Sequence, residues 1–214
     1  REPAVQRPDR RLTTTTVDNL TSTQIGTLTA VEVGSLSAAD LGALTATEYQ
    51  NLTTTQLGGL KASQLGTFTT TLIDNLTTTQ LDALSAAQVH GFTAGQLNGI
   101  STSTLDNLDV TERTNGQVGG LTSTTFGSLT STQVGKFSAT GFSALNTTQV
   151  QALSTTQVQG VSKTELAGLS TSDVGELATT QIAALLKTQV GELSGAAFSA
   201  LTSTQVAQLS TTQI

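Results

Sequence analysis

The sequence predicts an all-α solenoid with one short capped helix in every eight residues. Three observations predict it. An octapeptide repeats in phase: Leu145-Asn146-Thr147-Thr148-Gln149-Val150-Gln151-Ala152 is followed at once by Leu153-Ser154-Thr155-Thr156-Gln157-Val158-Gln159-Gly160. Two apolar positions hold throughout. With the first Leu as position 1, position 6 is apolar in all 25 units. A capping signature sits between them. Position 2 is Ser, Thr, Asn or Asp in 22 units, with Lys61, Ala178 and Leu186 as exceptions, and position 5 is Gln, Glu or Asp in 19.

Each part of the octad has a physical reading. The hydroxyl at position 2 accepts from a first-turn N–H, and the side chain at position 5 accepts in return from the position-2 N–H. Positions 1 and 6 flank the cap as the halves of a hydrophobic staple. Gly and Asn at positions 7 and 8 suit a left-handed stop. One octad is too short to hold a helix alone, so stability must come from stacking, the logic of a solenoid. Positions 1 and 6, for example Leu145, Val150, Leu153 and Val158, are expected inside, and positions 3 and 7 outside. Helices starting after Lys61, Ala178 and Leu186 are expected to fray.

Two other architectures compete with this one, and a third is excluded. One continuous helix fails, because eight residues advance the apolar position about 80° past two turns. A β-solenoid is the alternative, since Thr favours strands and Thr-x-Thr recurs. Positions 1 and 6 have opposite parity, however, and would face opposite sides of a flat strand. A disordered Ser/Thr tract conflicts with the strict apolar phase.

In chain order, residues 1–11 lack the repeat, hold both prolines, and read as a linker or partly ordered tail. Residues 12–214 read as a single octapeptide-repeat solenoid. Units run from 12 to 107, with a longer echo: Phe68-Thr69-Thr70-Thr71-Leu72-Ile73-Asp74-Asn75 restates residues 12–19, fifty-six positions earlier. The phase breaks at 108–120, where residues 112–116 read as an insertion on a corner or as a contact loop. Octads resume at 121 and stop mid-unit at Ile214. Both ends read as a piece of a longer protein.

Composition narrows function. Net charge is −6, four of the nine basic residues lie in the first eleven positions, and the body has no basic stretch. Nucleic acid and anionic membranes are therefore poor partners, and no apolar run is long enough to insert in a bilayer. There is no cysteine. His90, the only histidine, falls at a corner beside Gly91 and has no catalytic constellation around it. Asp18, Asp74, Asp82 and Asp106 fall at corners and read as solvated charge. Asn19, Asn51, Asn75 and Asn146 begin Asn-x-Ser/Thr sequons, which a Thr-rich repeat generates by chance. No phosphate loop or calcium loop is present. The sequence is thus expected to hold no catalytic residue, no cofactor and no metal ligand.

Runs such as Leu-Thr-Thr-Thr-Gln-Leu and Leu-Ser-Thr-Thr-Gln-Val resemble the octapeptide repeats of large bacterial secreted or surface proteins of adhesin-like type. The resemblance covers 12–214. It implies a coil of short helices with about four repeats per turn, and a secreted or cell-surface location. The function expected first is a non-enzymatic spacer or stalk between other domains of the same longer protein. An adhesin-type module meeting a surface polymer or glycan through a Thr/Gln/Asn face is the alternative. Ice or crystal-surface binding belongs to the β-solenoid alone.

Overall fold

The computed structural model describes residues 21–108 and 113–214. Among them are 23 short helices, from Ser22–Gly26 to Ser203–Val206, and no strand. The expected all-α repeat fold is therefore present. The β-solenoid alternative, and the ice-surface reading tied to it, lacks the strands it requires. The tail at 1–11, the first octad with Asp18, and Asn19 lie outside the described residues. Contacts group the chain into two compact units, Arg1–Gly91 and Phe92–Ile214.

The octad at 153–160 shows how each side is built. Leu153 and Ser154 are extended, and helix Thr155–Gly160 follows. Ser154 Oγ accepts from Gln157 N at 3.2 Å, and Gln157 Oε1 accepts from Ser154 N at 2.8 Å. The helix ends when the next position-1 residue, Val161, turns extended while its N–H still donates to Val158 O. Two extended residues thus make each corner, and the second is already the next cap. Leu145, Val150, Leu153 and Val158 are all buried, as the staple requires.

Two local expectations are corrected. No described glycine or other residue has positive φ, so Gly at positions 7 and 8 is not a left-handed stop. The uncapped helices are not shortened as a group either: helix Thr179–Ala184 after Ala178 runs six residues like Thr155–Gly160, and Ala62–Leu65 and Lys187–Val190 run four like the capped Thr54–Leu57 and Ser131–Val134. Ala178, Lys61 and Leu186 have no side chain to cap with, yet their N–H groups still donate to Gln181, Gln64 and Gln189. Half a box suffices because that glutamine is fixed from its other end, as described below.

The coils stack with a half-step. Helix Thr54–Leu57 packs on Ala30–Ser35, and Thr155–Gly160 on both Ser131–Val134 and Thr179–Ala184, each pair 24 residues apart. Side-chain bonds between coils span 28 to 31 residues. A turn therefore takes about 28 residues, and the four octads implied by the resemblance resolve to about three and a half. Helix Thr155–Gly160, which packs on Ser131–Val134, also reaches the end of Ser123–Ser128 through Gln157, so it lies across the joint between those two helices, as a brick is laid. Two such turns fill fifty-six residues, the spacing of the sequence echo at 12–19 and 68–75.

Close stacking explains the small residues. A Cβ at Gly59 would lie 1.9 Å from Ala30 O, one at Gly91 2.2 Å from Ala62 O, and one at Gly160 2.3 Å from Ser131 O. Backbones meet where position 8 of one coil crosses position 3 of the coil before. Position 3 is accordingly half-buried at Ala30, Ala62 and Ser131, not uniformly exposed as expected.

The expected insertion at 112–116 is also redrawn. Thr114 caps helix Asn115–Gly119 and Gln117 closes the box, so 113–120 is a complete octad with Arg113 at position 1. Glu112 lies outside the described residues. Across the break, Gln117 Nε2 donates to Phe92 O, 25 residues back, where 28 is usual. Gln133 Nε2 donates to Asp106 O, 27 back, where 30 is usual. Both are three short. The repeat is therefore three residues short across this break.

Candidate functional site

The most elaborated chemistry of the chain lies inside the coil, at position 5. Gln157 is buried and uses both ends of its amide. Its Oε1 closes the cap on Ser154. Its Nε2 donates to Leu129 O at 2.7 Å, Phe126 O at 3.1 Å and Gly127 O at 3.3 Å, all on the preceding coil. Gln149 does the same to Val118, Gly119 and Leu121, and Gln56 to Ile25, Gly26 and Leu28. These carbonyls belong to positions 6, 7 and 1, at helix ends that leave acceptors unfilled. One planar amide thus starts its own helix and finishes another one.

A carboxylate could serve the cap as well as an amide, because the cap needs only an acceptor. Only the amide can also donate. The sequence carries that signal, since Gln outnumbers Glu and Asp at position 5 by 14 to 5. Reading position 5 as a cap alone missed it.

Some departures from glutamine at position 5 show what else can face these acceptors. Leu72 stands at position 5 and cannot donate. Leu41 O, 31 residues earlier, receives the hydroxyl of Tyr49 instead, at 2.5 Å. Tyr49 is fully buried, packs edge-on against Phe68 at 5.2 Å, and burial pushes its phenol well above the usual range, so it stays a donor. We expect Tyr49→Phe to cost about 1–2 kcal/mol, the cost of a buried acceptor left without its donor. Leu72→Gln on that background should recover much of it. Urea unfolding midpoints of the single and double variants check this, and no recovery would refute the compensation.

Arg113 is the second exception. It takes the apolar position 1 of its octad, is buried, and donates from Nη2 to Leu105 O at 3.1 Å. That carbonyl is the one Gln133 would reach across the shortened octad. The third exception is Glu165, which is fully buried. Its Oε2 accepts from Ser162 N at 2.5 Å, while Oε1 is buried with no hydrogen-bond partner. Loss of solvent raises its carboxyl above the ordinary range, against the lowering pull of its hydrogen bonds with Ser162.

The structure places the other sequence candidates on the surface. His90 is exposed at the C-cap of helix Ala86–Val89, where its backbone N–H bonds Ala86 O and Gln88 O. Asp74, Asp82 and Asp106 are exposed, and among the described residues no three His, Asp or Glu gather into a metal-sized group. Asn146 is occupied as a cap, accepting from Gln149 N at 3.0 Å; Asn51 is exposed at a helix end; Asn75 is a half-buried C-cap. The core of the second unit holds a cavity of about 10 Å³ among Val158, Val161, Leu166 and Leu177, room for about one water. No helix among the described residues is long and apolar enough to cross a membrane. A scan against protein-family models and a search of curated proteins match nothing to this chain.

Proposed function

We propose that the chain is a non-enzymatic structural segment, a stiff spacer or stalk within a longer protein. The observation that supports this most is the position-5 clasp. Within each unit, amides such as Gln56, Gln80, Gln149, Gln157 and Gln189 tie one coil to the coil before with the same bonds, so stiffness accrues as octads are added. Such an array resists bending because a helix like Thr155–Gly160 spans the joint beneath it. The resemblance to octapeptide repeats of bacterial surface proteins favours a secreted or cell-surface setting, with other domains of the same protein as partners. Deleting residues 145–176, four whole octads, should leave a folded protein whose maximum dimension in small-angle scattering falls in proportion. A compact, near-spherical profile for the parent chain would sink the spacer reading.

A second reading is an adhesin-type surface. Exposed hydroxyls at Thr54, Thr55, Thr78, Thr79, Thr155 and Thr156 favour it, since none of these caps a helix. Glycan or polymer binding abolished by alanine at these sites would support it, and binding that survives those changes would not.

A further inference from the structure

Glu165 is an acid in the clasp position, fully buried and with one oxygen that has no hydrogen-bond partner. Its neighbours at this position show what the site is built for. Gln157 and Gln189 place an NH₂ group against the carbonyls 31 and 28 residues earlier, Phe126 and Leu129 for the first, Val158 and Val161 for the second. The same offsets from Glu165 fall on Val134 and Phe137. A carboxylate there sets oxygen against oxygen. A carboxylic acid has one O–H donor and can make the bond.

We propose that Glu165 is a proton-operated clasp: protonated, it joins its coil to the preceding one through the Val134 or Phe137 carbonyl, and ionised, it releases that bond. The space favours a proton over a metal ion, because the amide bonds at this position are only 2.7 to 3.1 Å long and leave no room for a cation between the oxygens.

Nearby charges do not substitute for the proton. Helix Ala139–Phe142, which packs against helix Lys163–Ala167, carries no ionisable side chain. The octad supplying the carbonyls carries Lys136, which is exposed. On the octad 185–192 of the following coil, Lys187 is exposed and Glu192 pairs with Lys163 at 2.6 Å. In the next octad, Asp173 closes the cap of Ser170. The sign follows from the raised acid. Its contribution is complete below the ordinary value of 4.5 and is lost as pH rises through the higher folded value.

Two measurements on the full chain test this. Carbon-13 NMR of the side-chain carboxyls, with Glu165→Gln used for assignment, should show Glu165 titrating above 4.5. A midpoint at or below that value overturns the proposal. Urea midpoints of parent and Glu165→Gln from pH 4 to 8 should diverge as pH rises, with the variant the more stable at pH 8. Other acids titrate in both proteins and cancel in the difference. A constant difference across that range also overturns it. Glutamine occupies this position in the preceding octad and in the octad 24 residues on, as Gln157 and Gln189, so the variant should fold.

Discussion

Gln149→Leu is expected to lower stability by about 3 kcal/mol, one of the two largest effects of any single change considered for this chain. The leucine fills the same volume but removes both ends of the clasp. Asn146 N loses its acceptor, and the carbonyls of Val118, Gly119 and Leu121 lose their donor. Leaving buried polar groups unpaired costs about 1–3 kcal/mol each where water cannot enter, and relaxation at the coil edge offsets part of the sum. Gln151→Leu, two residues on at an exposed position 7, should change little. Gln149→Glu separates the two halves of the clasp, since it keeps the acceptor and loses the donor. At neutral pH it should be no more stable than the leucine variant. Urea midpoints of the three variants decide the matter. Equal midpoints for Gln149→Leu and Gln151→Leu would reduce position 5 to a surface cap.

Gly160→Ala is expected to cost about 1–3 kcal/mol, the usual range for overpacking. Its new Cβ would stand 2.3 Å from Ser131 O and 2.7 Å from Ser131 Cβ. Backbone cannot yield as a flexible side chain does, so the two coils must part at that point. Gly175→Ala is the internal control. It lies within helix Thr171–Glu176, and a Cβ there meets nothing within 4 Å. Alanine is the better helix former by about 1 kcal/mol, so this variant should be stabilised. Opposite signs for two Gly→Ala changes in the same repeat would show that coil spacing, not helix propensity, sets glycine use. The same sign for both would overturn that view.

The parts of the fold that could be read in the sequence are those the octad encodes within itself. Leu153, Ser154, Gln157 and Val158 announce staple and cap, and their burial and bonding follow from eight residues. The parts that could not be read are relations between octads. The half-step of stacking depends on how sharply Leu153 and Ser154 turn the chain, which composition does not state. Gly160 appeared to be a helix stop because the sequence does not show Ser131 lying against it. Arg113 appeared to be inserted because an arginine at an apolar position hides the octad it begins. The amide of position 5 is the instructive middle case. Its second role was written in the preference for Gln over Glu, yet it becomes intelligible only once the facing carbonyls are known.

The clasp also has a direction. Each described bond from a position-5 amide to another coil runs to residues nearer the amino terminus, as from Gln56 to Ile25 or from Gln205 to Val174. During synthesis the acceptors are therefore always made before their donors. A ribosome adding roughly 5–20 residues per second releases an octad in roughly 0.4–1.6 seconds, while a short helix equilibrates within about a microsecond. Every new octad meets a finished template and needs nothing that has yet to be translated. On the growing edge the clasp leaves carbonyl oxygens waiting, which water serves readily, while its amide donors already face the coil before. An array built this way can be lengthened by gene duplication without altering how any earlier part of it folds.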